Sequence, residues 1–332
     1  MKDSGIFSLM AFQAINSLGY DAERVFQRCG LTPEQLNNLD LRTPHEGQQI
    51  FWQVLEQETN DPHIGLHLGE HLPLFRGQVI EYLFLSSSTF GDGLVRANSF
   101  MRLLSDAVTA KLGEHQGEVY VNHSFVKESP HQLIEAGTVG MIKFFSHVTE
   151  GTFKATKVWF SHSSNLPLDE YERILGCPVE LKAVENRIFF KKEVLKFPSS
   201  HAEPELLKLH EKYANAHLAR LEKQDLVLQV NRVIAELLES GDASLESVAA
   251  KLGIKPRNLR SRLSDANTNF NQVMADYRCY LAKRLLARTD ESIDEIVYLT
   301  GFSEPSTFYR AFKRWVGMTP IEYRKMKKLA AQ

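Results

Sequence analysis

The spacing of apolar residues divides the chain into two parts with different periods. From about residue 5 to residue 72, apolar residues recur at helical intervals, and prolines separate the helical stretches. From about residue 106 strand-like alternation takes over, broken by a helix at residues 132–149, and from about residue 203 the helical period returns. Strands are predicted as a hairpin at residues 111–127 and then at 156–164, 178–183 and 186–192. The pattern predicts a mixed α+β N-terminal domain followed by an all-α C-terminal domain.

The boundary between the two domains is predicted at a polar stretch. The run from residue 203 to residue 239 is long and uneven in its pattern for a single helix, and ARLEKQD at residues 219–225 has few apolar positions. We therefore predict domains at residues 1–219 and 226–332, joined by a linker at residues 220–225.

An internal repeat occupies the all-α part. Ser244 is suited to cap a short helix, Gly253 to end it in a sharp turn, and a polar helix follows. The same order begins again at Ser292 and turns at Gly301, 48 residues after the first glycine. This is the signature of two helix-turn-helix units. Residues 270–288 predict a connecting helix of about 28 Å, long enough to hold the two second helices about 34 Å apart, one turn of B-DNA.

The second helix of the later unit has two chemically different faces. Phe308, Phe312 and Trp315 recur with Ala311 on one stripe, which we predict packs into the core. The guanidinium of Arg310 suits a guanine edge, and hydroxyls and other cations suit bases or phosphates. The residues predicted to face DNA from this helix are Ser306, Thr307, Tyr309, Arg310, Lys313 and Arg314.

Three segments of the all-α part carry a family resemblance. They are RCYLAKRLL at residues 278–286, GF at 301–302 and GMTPIEYR at 317–324. With them, residues 225–332 resemble the DNA-binding domain of AraC/XylS-family transcription regulators. The resemblance implies that Arg257, Asn258, Arg260 and Ser261 of the first unit face DNA, as do Ser306, Thr307 and Arg310 of the second. A small residue is usual in the family where Lys255 stands and an arginine is frequent where Ser261 stands, so Arg260 and Arg262 are expected to serve as phosphate anchors.

Two segments of the N-terminal part carry a second resemblance. DPHIGLHLGE at residues 61–70 and LSSSTFGDGL at 85–94 are similar to the N-terminal domain of the ornithine-utilisation-regulator branch of this family, an arabinose-binding-domain-like type. The resemblance implies a role in effector binding or dimerisation. Aromatic residues supply apolar bulk here, and a pocket lined by some of them is the default small-molecule site. They are Tyr82, Phe84, Phe144, Phe145, Trp159 and Phe160.

Three histidines offer a metal-binding alternative. His63, His67 and His71 are spaced by four, so a continuous helix would stack three imidazoles on one face, where Zn²⁺ or Cu²⁺ could bind. Gly65 and Gly69 interrupt the segment, however, and solvated histidines at helix edges are common. We therefore predict no metal and no cofactor.

Charge and cysteine usage agree with a DNA-binding protein inside the cell. Residues 225–332 hold 17 Lys and Arg against 13 Asp and Glu, although the whole chain has a net charge of −2. Cys29, Cys177 and Cys279 lie far apart and are expected to be reduced thiols. The apolar stretches are shorter than the roughly 18 residues of a membrane span, and the start lacks the features of a leader, so we expect a cytoplasmic protein without membrane contact.

Together these features predict a sequence-specific DNA-binding transcription regulator, expected to be an activator. Its expected partners are double-stranded promoter DNA, a small-molecule effector, a second copy in a homodimer, and RNA polymerase. Two alternatives stay open. One is an enzyme with a DNA-targeting C-terminal domain, although the chain has no P-loop, dinucleotide-binding turn or Gly-x-Ser-x-Gly elbow. The other is a regulator whose N-terminal domain binds only protein partners, which a closed core without a pocket would favour.

Overall fold

The chain folds into two compact units, Met1–Leu218 and Ala219–Gln332. The computed structural model describes residues 1–38, 40–126, 129–238 and 242–329. Over these residues the first unit combines helices with two sheets and the second is helical. The predicted order of an α+β part followed by an all-α part is confirmed.

Among the described residues, nine helices lie wholly within the first unit. Polar side chains cap the N-termini of several of them. Asp21 accepts a hydrogen bond of 3.0 Å from the Arg24 N–H, and Thr89 accepts one of 3.2 Å from the Asp92 N–H. Among the described residues the helices are α1 (Gly5–Ser17), α2 (Ala22–Arg28), α3 (Pro33–Leu36), α4 (Gly47–Thr59), α5 (Ile64–His71), α6 (Val79–Leu85), α7 (Phe90–Ser99), α8 (His131–Val148) and α9 (Leu168–Leu175), with 3₁₀ turns at Met101–Leu103 and Lys192–Lys196.

The larger sheet has five strands in the order β3-β4-β7-β5-β6, and all neighbours are antiparallel except the β5–β6 pair. The predicted hairpin turns at Gln116 and Gly117, both with positive φ, as a type I′ turn requires. A smaller antiparallel pair, β1 with β2, was not predicted. The strands are β1 (Lys2–Ser4), β2 (Arg42–Pro44), β3 (Val108–His115), β4 (Glu118–Phe125), β5 (Ala155–Trp159), β6 (Val179–Glu180) and β7 (Arg187–Phe190).

The glycines of α5 do not interrupt that helix, which corrects the sequence-based expectation. Gly65 and Gly69 lie within α5 and face α8. A Cβ at Gly65 would lie 2.4 Å from the Cα of Gln132, and one at Gly69 would lie 3.0 Å from the Cα of Ala136. The glycines therefore let the two helix backbones approach closely.

The predicted break in the long helical run is also wrong. Helix α10 runs from Pro204 to Leu238, and residues 220–225 lie inside it. Most residues of the 219–225 segment are polar and face solvent, which made the segment resemble a linker. Buried apolar residues such as Leu221, Leu226 and Val230 nevertheless continue at helical spacing through it. The boundary between the compact units falls within this helix, at Leu218 and Ala219. Assignment of residues 1–219 and 226–332 as domains with a linker at 220–225 stays a prediction.

The second unit contains both predicted helix-turn-helix units. Ser244 and Ser292 cap the first helix of each, accepting hydrogen bonds of 3.1 Å from the N–H groups of Ser247 and Glu295. Gly253 and Gly301 end these helices with φ values of +68° and +71°. The helices after α10 are α11 (Leu245–Lys251), α12 (Pro256–Asp265), α13 (Phe270–Arg288), α14 (Ile293–Leu299), α15 (Pro305–Val316) and α16 (Pro320–Leu329).

Candidate nucleic-acid interface

The connecting helix α13 contributes to the cores of both helix-turn-helix units. Val273 and Met274, in its N-terminal half, pack with α10, α11 and α12. Ala282 and Leu286, in its C-terminal half, pack with α14, α15 and α16. Since one continuous helix belongs to both cores, the two units are held in a defined relation.

Helix α15 buries its aromatic stripe as the sequence predicts. Phe308 and Phe312 are fully buried, and Trp315 is half-buried with its ring 6.1 Å from that of Phe302. Tyr309 is half-buried too, against Phe308 at 6.2 Å, so it presents only part of its ring to solvent. The exposed residues of the helix include Ser306, Thr307, Arg310, Lys313 and Arg314.

Helix α12 has the same division between a buried stripe and a polar face. Leu259 and Leu263 are fully buried in the first core. Pro256 and Pro305 occupy the first turns of α12 and α15, where the missing N–H of proline removes no helical hydrogen bond. The exposed residues of α12 include Arg257, Asn258, Arg260, Ser261 and Arg262.

Six cations on these two exposed faces form no close ion pair among the described residues, although Lys313 is near enough to Glu322 to contribute to the lowered pKa of that carboxyl. Among the described residues, none of these six side chains has a charged nitrogen within 4.0 Å of a carboxylate oxygen. Two neighbouring lysines differ: Lys251 Nζ lies 2.9 Å from a Glu236 oxygen, and Lys328 Nζ lies 2.5 Å from an Asp290 oxygen. Those lysines hold the pKa values of their partner carboxyls below the usual range. The six unpaired cations are Arg257, Arg260, Arg262, Arg310, Lys313 and Arg314. Such a surface suits a polyanion.

Comparison with known proteins adds to this geometry. Residues 19–199, more than half of the chain, match the family described as the arabinose-binding domain of AraC transcription regulator, N-terminal, and residues 248–326 match a helix-turn-helix domain. The chain belongs to the AraC family of transcription regulators. It is a DNA-binding transcription regulator with an N-terminal domain of the effector-binding type.

Individual relatives of this AraC-family chain align along most of its length. The ornithine utilization regulator of Pseudomonas aeruginosa is 26% identical over 311 residues, covering 92% of this chain and 91% of that protein. The regulator VirS of Mycobacterium tuberculosis is 25% identical over 319 residues, covering 93% and 92%. The crystal structure of the regulator CdpR from Pseudomonas aeruginosa covers 85% of this chain and 93% of that chain, at 22% identity and a TM-score of 0.42. Both aligned sequences are named as regulators.

Arg278 of the connecting helix holds the turn of the second helix-turn-helix unit in this AraC-family chain. Its Nη2 donates a hydrogen bond of 2.8 Å to the carbonyl of Gly301, and its guanidinium lies 4.8 Å from the centre of the Phe302 ring. Burial lowers the pKa of Arg278 from its usual value. Arg278 lies in the segment that carries the family resemblance, but the sequence pattern did not predict its contact with the turn.

The Met1–Leu218 unit contains a cavity of about 470 Å³ that is partly open to solvent. Of the aromatic residues proposed from the sequence, Phe84, Phe144 and Phe145 line it. The other three pack elsewhere: Tyr82 stacks on His210 at 5.2 Å, Trp159 contacts Phe189 at 4.8 Å, and Phe160 is fully buried in the core. Residues of α1, α2 and α4 also line it, as do residues of the other helices α5 to α8 and of strands β1 to β4. The sequence pattern did not indicate that α1, α2 and α4 contribute to a pocket.

Two of the three histidines of the metal alternative have ring nitrogens close to other polar groups of the protein. His67 Nδ1 lies 2.5 Å from an Asp61 oxygen and its Nε2 lies 3.6 Å from Glu170, while His71 Nδ1 lies 3.1 Å from the carbonyl of His67. His63 precedes the first residue of α5. Within the described ranges, no group of three or more His, Cys, Asp or Glu side chains is arranged to hold a metal ion. The same ranges contain no helix long and apolar enough to span a bilayer.

Proposed function

We propose that this regulator reads promoter DNA through α12 and α15. The observation that carries the proposal is the pair of exposed helix faces with six unpaired cations, held by one connecting helix whose 19 residues span about 28 Å. Two such helices suit successive major grooves on one side of a duplex.

Roles follow from the chemistry of each side chain. Arg310 has the fork of donors that a guanine edge accepts, and Asn258 pairs in the same way with adenine. Arg260, Arg262, Lys313 and Arg314 supply phosphate contacts that set orientation without reading sequence. Ser261, Ser306 and Thr307 bond bases or phosphates through their hydroxyls. Arg257 lies beside Ser261 on α12, and Tyr309 adds a partly exposed ring to the DNA-facing side of α15.

Fluorescence anisotropy of the full chain tests this proposal. The probes are duplexes from upstream of its own gene and of the neighbouring genes, compared with a scrambled duplex over a salt series. We expect binding to an upstream duplex at least 1,000-fold tighter than to the scrambled one, in the range typical of specific regulators. Equal binding to both across the series, with and without cell extract metabolites, would contradict sequence-specific reading by these helices.

We further propose that the Met1–Leu218 unit controls DNA binding by taking up a small molecule or by forming a homodimer, and that the regulator activates transcription with RNA polymerase. The cavity supports the small-molecule part, because a unit that bound only protein partners would not need it. Sedimentation gives the oligomeric state, and transcription in vitro with purified RNA polymerase separates an activator from a repressor. A rise in transcript on adding the regulator is the expected result.

The name of one relative suggests ornithine as an effector, but the cavity does not support it for this chain. Ornithine carries two ammonium groups and a carboxylate, so its site needs free charged partners. Asp3 is the only carboxylate in the lining described here, and it is already bonded to His45.

A further inference from the structure

The lining of the 470 Å³ cavity is dominated by aromatic and aliphatic side chains. Nine lining residues are Phe or Trp, drawn from helices on several sides; Phe26, Phe51 and Trp52 come from the N-terminal helices and Phe125, Phe144 and Phe145 from β4 and α8. Packed protein cores have few voids larger than a water molecule, whereas ligand pockets commonly measure 300 to 1,000 Å³. The space therefore has the size of a ligand site.

The polar part of the wall is largely self-contained. Asp3 accepts hydrogen bonds from His45 Nδ1 at 2.9 Å, from Gln48 Nε2 at 3.0 Å and from the Ser105 hydroxyl at 2.6 Å. The other ring nitrogen of His45 lies 2.9 Å from the Ser129 hydroxyl. Asp3, His45 and Ser105 are all buried. This network occupies its own donors and acceptors, so it holds the wall together and has little left to offer a ligand.

Charged ligands lack a partner in this cavity. The lining in the described part of the chain includes no lysine, arginine or glutamate. A carboxylate ligand would be desolvated without a cation, and an ammonium ligand would meet only the already bonded Asp3, both of which are costly in an apolar site.

A sugar is also poorly matched to the lining, although the family is described as arabinose-binding. A pentose carries several hydroxyl groups, and each buried hydroxyl needs a hydrogen-bond partner. The hydroxyls of Ser8 and Thr43 are half-buried and the amide of Asn98 is exposed, and none of the three has a side-chain hydrogen bond among the described residues. These three groups at the wall can bond the one or two polar groups of a largely apolar ligand, whereas a buried pentose would bring a larger set of hydroxyls that all need partners.

We propose that this cavity binds an uncharged, largely apolar molecule that carries at most one or two hydrogen-bonding groups. Its apolar body lies among the aromatic side chains, and its polar group bonds Ser8, Thr43 or Asn98. The inference rests on the proposed role of the Met1–Leu218 unit in effector binding and names the chemical class of that effector.

A neutral fluorescent probe tests occupancy. N-phenyl-1-naphthylamine brightens when it enters an apolar site, and we expect saturable binding to the full-length chain. 1-Decanol should displace the probe at concentrations at least tenfold below those needed for decanoate, which has the same chain length with a negative charge. L-Arabinose and L-ornithine should not displace it.

Gly140 offers a matched pair of variants on the cavity wall. This α8 residue lines the space, and a Cβ there would lie 3.6 Å from Leu72 Cδ1, an ordinary contact. Gly140→Ala should bind the probe within about twofold of the unsubstituted chain, because a single methyl group removes little volume. Gly140→Phe places a ring in the cavity and should weaken probe binding at least tenfold, while an unchanged far-ultraviolet circular dichroism spectrum and a cooperative melting transition show that the Met1–Leu218 unit still folds. If Gly140→Phe does not fold, the competition series on the unsubstituted chain still decides the outcome.

The outcomes separate this inference from the proposed function. Displacement by decanol together with a change in DNA affinity supports both. Displacement without any change in DNA affinity supports the ligand class and contradicts effector control. A response of DNA affinity to arabinose or ornithine but not to decanol keeps effector control and overturns the apolar class. Absence of probe binding and of any decanol-induced change in melting temperature overturns the inference as well.

Discussion

At the residue scale, the proposed DNA-binding surface depends on which cations already have a carboxylate partner. Lys251 and Lys328 are paired and contribute to local structure, whereas Arg310 and Lys313 are exposed and unpaired among the described residues. Arg310 lies along its own helix, donating from Nε to the Ser306 carbonyl at 3.3 Å. This single contact leaves the two terminal nitrogens of its guanidinium free for a base edge.

Arg310 and Lys313 should differ in what their removal does. Arg310→Ala should weaken binding to the specific duplex by about 1 to 3 kcal/mol and relax specificity at one base pair, because a bidentate base contact is lost. Lys313→Ala should weaken binding to all duplexes alike and make the salt slope shallower by about one, because a phosphate contact is lost. Anisotropy titrations on specific and scrambled duplexes distinguish the two patterns.

Lys208→Ala is the control for these substitutions. Lys208 is exposed, belongs to the Met1–Leu218 unit and pairs with Glu205 at 2.8 Å, so its loss should leave DNA affinity unchanged. Unchanged specific affinity in Arg310→Ala would contradict the base-reading role.

A buried histidine in the large sheet should make stability depend on pH. His123 on β4 is fully buried with Nε2 2.8 Å from the Thr138 hydroxyl, and burial lowers its pKa to about 4. The unfolded chain, with an ordinary histidine pKa of about 6.5, binds the proton more readily. Stability is therefore lost as pH falls from about 6.5 to about 4, by up to about 3 kcal/mol from this residue.

His123→Gln removes the titration and keeps a side chain that can bond Thr138. Between pH 7 and pH 4.5, its free energy of unfolding in urea should fall by less than that of the unsubstituted chain, since the other titrating groups are common to both. Parallel pH profiles for the two proteins would show that His123 is not the source of the dependence.

At the element scale, the two helix-turn-helix units share a pattern but differ in how tightly their turns are packed. A Cβ at Gly253 would meet no atom within 4 Å, whereas a Cβ at Gly301 would lie 3.1 Å from Leu238 Cγ and 3.2 Å from Arg278 Nη2. The sequence shows the same glycine twice. Only the packing shows that the second turn is crowded by α10 and α13.

Substituting alanine for each glycine should reveal this difference. Gly253→Ala should lower the free energy of unfolding by about 1 kcal/mol, which is the usual penalty for a residue with a Cβ in the left-handed conformation. Gly301→Ala should cost about 2 to 3 kcal/mol, because the same penalty is joined by displacement of Arg278 from the turn. Hydrogen exchange of the α14 and α15 amides in the full chain, together with urea unfolding, measures the loss of stability. An equal loss in the two variants would argue against crowding at Gly301.

Element boundaries were predictable where the determinants are local. The capping serines, the turn glycines and the aromatic stripe of α15 act over one or two helical turns, and the structure confirms each of them. The close approach of α5 to α8 and the continuity of α10 were not predicted. Gly65 is a helix breaker by intrinsic propensity, but here it makes room for the backbone at Gln132, and packing outweighs propensity.

At the scale of the whole molecule, charge is distributed unevenly along the chain. Residues 225–332 carry the excess of cations, although the net charge of the chain is −2. Fold and polarity both assign polyanion binding to the Ala219–Gln332 unit, and the apolar cavity lies in the other unit. The proposed recognition of a small ligand therefore lies in a different compact unit from DNA binding.

The salt dependence of DNA binding should reflect the six unpaired cations. If each contacts one phosphate, the slope of log K against log salt is about −5, and affinity falls about 1,000-fold between 50 and 200 mM salt. Anisotropy of the full-length chain over that range gives the slope. A slope shallower than about −2 would mean that most of these cations do not contact phosphates.

The sequence by itself determined the class of the fold, the position of both helix-turn-helix units and the polar faces that suit DNA. These features depend on periodicity, caps and turns, whose physical causes act between residues a few positions apart. Tertiary structure decided which cations remain unpaired, how Arg278 secures the turn at Gly301, and which side chains surround the cavity. Those features join residues tens of positions apart, such as Asp3 with Ser105, and depend on how separate elements pack together.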